Sequence, residues 1–204
     1  MKNQEFQLLS DDDVVSLYHT KQALFGKKNF RVQDCYLAFD QHFGIDTTPR
    51  QNGGITVSFL EANDSSLGWI EGQTNVCLAF LPEQFTTASE TAKTSYQPLD
   101  KDLLKTQDNV GKLWRSGCEL IYEFKDRLRT NLGIQDAAYS KYFWLDRGIE
   151  CEVLQTTGRT SGWQSGLVRL QIVFVPKDAI ADPEEPASEN SALESLRQPV
   201  LTTL

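Results

Sequence analysis

Two stretches of the chain match one another at a constant spacing of 94 residues, and this repeat limits the possible folds more than any other feature. Gly68-Trp69-Ile-Glu-Gly72 leads to Phe80-Leu-Pro82, and Gly162-Trp163-Gln-Ser-Gly166 leads to Phe174-Val-Pro176. Positions 54–82 and 148–176 share eight identities, where ordinary residue frequencies give about two. The apolar periodicity agrees too, since Val76, Leu78 and Phe80 match Leu170, Ile172 and Phe174. Weaker similarity continues upstream at a spacing near 90, from Phe6–Asp12 to Tyr96–Asp102. The chain therefore reads as a tandem duplication: residues 1–85, a linker at 86–95, residues 96–178, and an acidic tail at 179–204.

Each unit is expected to end in a β-hairpin. Ile149-Glu-Cys-Glu-Val153 alternates apolar and charged residues, the period of a half-buried strand. Turn formers occupy Gln155–Ser161, and a second strand runs from Trp163 to Val175 with Val168, Leu170, Ile172 and Phe174 inward. The first unit repeats this with Ile55, Val57 and Phe59, a turn at Ala62–Ser66, and a strand through Phe80. Pro82 and Pro176 close the strands, because proline cannot donate to the ladder. Upstream, Ser10 or Asp11 is placed to cap a short helix carrying Val14, Leu17 and Leu24. Leu120, Ile121, Phe124, Leu128 and Leu132 recur at helical spacing, whereas their counterpart Phe30–Phe39 starts with strand-like alternation. The expected class is α+β: two pseudo-symmetric units, each with an antiparallel hairpin or sheet and one or two helices, and a disordered tail. A unit of this size has a marginal core, so the two should bury edges against each other as an intramolecular pseudo-dimer.

The formal net charge of −8 argues against wholesale nucleic-acid binding. Half of it lies after Pro176, where six acids face Lys177 and Arg197. The longest apolar run, Val76–Leu81, is far too short for a bilayer. The absence of a signal-like start points to the cytoplasm. Cys35, Cys77, Cys118 and Cys151 form no CxxC pair, so reduced structural thiols are expected, with no metal and no cofactor. Asp11-Asp12-Asp13 reads as a helix start, and His19 and His42 as ordinary helix-face or surface residues. No catalytic constellation emerges.

The hairpin residues Gly162-Trp-Gln-Ser-Gly-Leu-Val-Arg169 and Phe174-Val-Pro176, the Pro/Glu tail with Leu196-Arg-Gln198, and Leu9–Leu17 at the start resemble the KGK family, a group of small cyanobacterial proteins. The family signature places lysines around the glycine after the tryptophan. Here Ser165 and Leu167 stand at those positions, and Glu71 and Gln73 in the first unit. The resemblance implies a cyanobacterial cytoplasm and no established activity.

Trp69 and Trp163, beside Gly72 and Gly166, are the leading candidates for a partner-binding surface, since Trp and Arg predominate in interface hot spots. Trp114, Trp144, Arg115 and Arg169 join them, the first two occurring only in the second unit. The expected function is non-catalytic protein binding within a larger assembly. The alternative is a small molecule or pigment held in a pocket between the units.

Overall fold

A computed structural model describes residues 6–46, 54–83, 96–134, 138–156 and 162–179. The expected linker at 86–95 and the tail from 180 onward lie outside the described residues. The architecture is α+β: a nine-stranded antiparallel sheet with three α-helices among the described residues. The strands are β1 (Gln7–Leu8), β2 (Val14–Leu17), β3 (Asn29–Arg31), β4 (Ile55–Leu60), β5 (Ile70–Pro82), β6 (Leu103–Thr106), β7 (Gly117–Leu120), β8 (Ile149–Leu154) and β9 (Trp163–Pro176). The helices are α1 (Val32–Phe43), α2 (Ile121–Asn131) and α3 (Ala138–Leu145).

The strand order is β3-β2-β8-β9-β5-β4-β6-β7, with β1 on β5. At the centre, β5 and β9 pair antiparallel from Gly72 opposite Pro176 to Pro82 opposite Gly166. Cys77 faces Gln171, the residue 94 positions later, at the middle of this ladder. The flanking hairpins use one register: Ile55–Thr74 and Val57–Gly72 in one, Ile149–Val168 and Cys151–Gly166 in the other. The outer strands then cross over. β2, from the first half, pairs with β8 of the second, and β6, from the second half, pairs with β4 of the first. Each half therefore supplies the strands that continue the other half's sheet.

Period-two patterning decides which face is covered. Gly72, Thr74, Val76, Leu78 and Phe80 of β5 are buried, as are Val168, Leu170, Ile172 and Phe174 of β9. Against this face α1 lays Val32, Cys35, Tyr36, Phe39 and Phe43, spaced at three and four residues. Each fully buried Leu or Phe in such a layer contributes roughly 1.5–3 kcal/mol. The Tyr36 hydroxyl accepts the Leu78 N–H at 2.8 Å, tying α1 to β5. Gly44 ends α1 with φ of 63°, its N–H bonded to the Asp40 and Gln41 carbonyls. On α2, Ile121, Phe124 and Leu128 are buried, and Glu123 accepts the Leu120 N–H at 3.1 Å.

The hairpin strands fall where alternation and proline place them. The expected helix at Val14–Leu24 does not form. Val14–Leu17 is a strand, with Val15 and Leu17 buried. The acids before it are not helix caps. Asp13 is buried, and one carboxylate oxygen accepts the Ser10 N–H at 2.8 Å while the other accepts the Thr156 N–H at 2.8 Å. Asp102 does the same, accepting from Leu99 N at 2.6 Å and Ala62 N at 3.0 Å. Pairing Asp13 with Asp102 makes the upstream spacing 89. Each aspartate holds its own loop and reaches the hairpin of the other half.

Candidate interaction surface

The six residues singled out from the sequence do not form one cluster. Trp69 is 45% exposed and Trp163 50% exposed, each at the start of a long central strand. They stand near opposite ends of the β5–β9 ladder. Gly72 and Gly166, each three residues beyond its tryptophan, are about ten residues apart along β5, on the order of 33 Å. Trp114 is 2% exposed and Trp144 fully buried, so both pack the core rather than a surface. Trp114 lies against the Phe124 ring, with centroids 4.4 Å apart. Trp144 donates its indole N–H to the Gln22 carbonyl at 3.0 Å, anchoring α3 of the second half on the first. Replacing Trp144 with Ala should cost about 3–5 kcal/mol, read by urea denaturation.

Arg169 is embedded. Its guanidinium lies 3.8 Å from the Phe6 ring centre and bonds the Asp146 carbonyl at 3.1 Å and the Gln97 and Gln171 side chains at 3.3 and 3.2 Å. Burial lowers its pKa from the ordinary value, and the nearby Asp146 charge opposes that shift. Arg115 lines a shallow groove of about 470 Å³ with Cys118, Tyr122, Glu123 and Asp126. The Arg127–Glu119 ion pair, 2.5 Å long, borders the same groove.

What sequence reasoning missed is the company the exposed tryptophans keep. Directly opposed residues share a sheet face. Leu60, Leu103 and Leu120 oppose one another across β4, β6 and β7, on the face opposite the buried Phe59 and Leu104. Trp69 precedes Ile70, the partner of Phe59, and so stands beside Leu60. In the other half Trp163 opposes Leu154, Leu154 opposes Val14, and Val14 opposes Arg31. Each tryptophan thus begins a row crossing four strands on the outer face. The signal was present as Leu60 and Leu154 at matched positions, but the row requires the exchanged partner strand.

An opening lined by Phe39, Ile55, Val76 and Trp114 holds about 10 Å³, space for roughly one water. No group of three or more His, Cys, Asp or Glu among the described residues is placed to hold a metal ion. No helix among them is long and apolar enough to cross a membrane. His42 bonds the Asn131 carbonyl at 2.6 Å, joining α1 to α2.

Two of the cysteines differ sharply in access, Cys118 being exposed and Cys151 buried. Burial, helped by the Glu152 charge, pushes the Cys151 thiol up to about 12. The thiolate is the reactive form. Iodoacetamide at mildly alkaline pH should therefore modify Cys118 in the folded protein and spare Cys151, with both modified in urea; peptide mass mapping reads the result. Because the folded state favours the neutral thiol, its contribution to stability is complete below the ordinary value of 9.0 and is lost as pH rises from there towards about 12.

Residues 103–200 match the family model of the KGK domain. No curated protein and no solved structure matches the chain.

Proposed function

We propose that this member of the KGK domain family is a non-catalytic binding and assembly protein, built as an intramolecular pseudo-dimer, that takes protein partners on the outer face of its sheet. The observation that carries this reading is the pair of half-exposed tryptophans at corresponding strand starts, each continuing into a row of partly buried side chains. Isolated exposed leucines are ordinary, but a contiguous apolar row headed by an exposed indole is what a partner surface presents. The matched registers of the two hairpins and the β5–β9 ladder support the pseudo-symmetric tandem arrangement. Two such rows on one rigid sheet suit a protein that bridges components of a larger assembly. The family resemblance implies a cyanobacterial cytoplasm as its setting.

The rows are not equivalent. The row headed by Trp69 ends in Leu120, whereas the one headed by Trp163 ends in Arg31. Different partners, or different parts of one partner, match that difference. Trp69→Ala and Trp163→Ala should each change stability by about 1 kcal/mol, since half of each side chain already meets water. Loss of a hot-spot tryptophan should weaken partner binding by about 2 kcal/mol or more. Affinity capture of the tagged protein from its native cell, followed by intact-mass analysis, identifies the molecules that stay bound. Repeating it with the two variants decides the reading. A stoichiometric protein lost from both variants supports the proposal; undiminished capture rules out the rows. A retained small molecule without protein favours the ligand alternative.

A further inference from the structure

We infer that the chain's own C-terminal tail is the resident occupant of the Trp69 row, covering it until a partner displaces it. This rests on the reading of that row as a binding surface and adds its regulation. The first observation is where the tail leaves the fold. β9 ends at Pro176, opposite Gly72, and the turn Lys177–Ala179 immediately after it packs against β5. Trp69 lies three residues before Gly72, about 10 Å along the strand. The row from Trp69 to Leu120 is only about 14 Å wide. The segment 180–192 can span roughly 40 Å when extended, ample reach to bring the leucines beyond it onto the row.

The second observation is chemical fit. The tail combines acids at Asp182, Glu184, Glu185 and Glu189 with apolar residues at Leu193, Leu196, Val200, Leu201 and Leu204. Leu103, at the middle of the Trp69 row, is flanked by the exposed Lys101 and Lys105. An apolar segment preceded by acids therefore meets an apolar row flanked by cations.

The mirror site supplies the control. There Val14 stands in the place of Leu103, flanked by Asp12 and Ser16, and Arg31 replaces Leu120. The chain that leaves the corresponding strand, after Pro82, carries Phe85 and then the Thr/Ser-rich segment 86–95, which has no leucine and whose single acid is Glu90. The lysine-flanked Trp69 row thus matches the acidic, leucine-bearing tail in chemistry, whereas the Trp163 row, ending in Arg31 and flanked by Asp12, is followed by a linker with neither leucines nor a run of acids.

Acrylamide quenching of tryptophan fluorescence in full-length Trp163→Phe protein tests this without any partner, because Trp114 and Trp144 are buried and Trp69 is the accessible indole. The expected result is a Trp69 shielded from quencher at all protein concentrations. That shielding should be lost on Leu193→Ser/Leu196→Ser/Leu201→Ser substitution and reduced by Lys101→Glu/Lys105→Glu. Equal quenching with and without the tail substitutions would overturn the inference. So would shielding that grows with protein concentration, which would assign the row to a second copy. Partner capture is a separate readout, so failure of the tail and failure of the binding surface are distinguishable.

Discussion

Asp13→Ala and Asp102→Ala should each destabilise the fold by about 3 kcal/mol or more, among the largest single-residue effects in the chain. Both carboxylates are buried and each spans two loops. Asp13 accepts from Ser10 and from the Thr156 backbone and hydroxyl, and Asp102 from Leu99 and Ala62. Hydrogen bonds to a charged acceptor are worth roughly 1.5–3 kcal/mol each, and truncation removes the one acceptor that both loops share. Alanine also cuts the link between a strand of one half and the hairpin turn of the other. Asparagine keeps one carbonyl acceptor, so Asp→Asn should fall between wild type and alanine. Urea midpoints for wild type and these alanine and asparagine variants check the order. Equal stability of wild type and alanine variants would mean that the loops hold without the carboxylates.

Gly72→Ala and Gly166→Ala are expected to be comparably damaging, for a steric reason. A β-carbon on Gly72 would overlap the Val175 carbonyl oxygen and lie 2.6 Å from the Phe174 ring. One on Gly166 would overlap the Leu81 carbonyl oxygen and lie 2.6 Å from the Phe80 ring. Both clashes involve backbone at the central ladder and a fully buried aromatic, neither of which can swing away. Overpacking typically costs about 1–3 kcal/mol, and a backbone obstacle puts these sites at the upper end. Gly162→Ala is a control in open space, where a β-carbon meets nothing within 4 Å; its φ of 111° leaves only the backbone cost. Thermal denaturation should place Gly72→Ala and Gly166→Ala well below Gly162→Ala.

These glycines show what a sequence can disclose. A glycine beside a tryptophan at both ends of a repeat signals close approach, and the neighbour proves to be the central ladder and its phenylalanines. The hairpins were legible for a similar reason: alternation over six or more residues, closed by proline, leaves one way to bury a face. The strand at Val14 is disguised in the sequence because Val14 and Leu17 are three apart and come after a run of acids, a pattern shared with a capped helix. Tertiary pairing with β8 decides the matter, burying Val15 and Leu17 together. Which hairpin each outer strand joins was not legible at all. A repeat shows that two units are alike, and like units accept each other's strands as readily as their own. The rows that begin at Trp69 and Trp163 depend on that exchange, so the candidate surface was visible only as its two indoles.

Co-expression of the chain as two pieces, cut within 86–95, tests the exchanged architecture most directly. If each half supplies strands to the other, the two pieces should purify as a one-to-one complex with a cooperative unfolding transition, and neither should fold alone. Two separately folded pieces that ignore each other would contradict the exchange and, with it, both rows on the outer face.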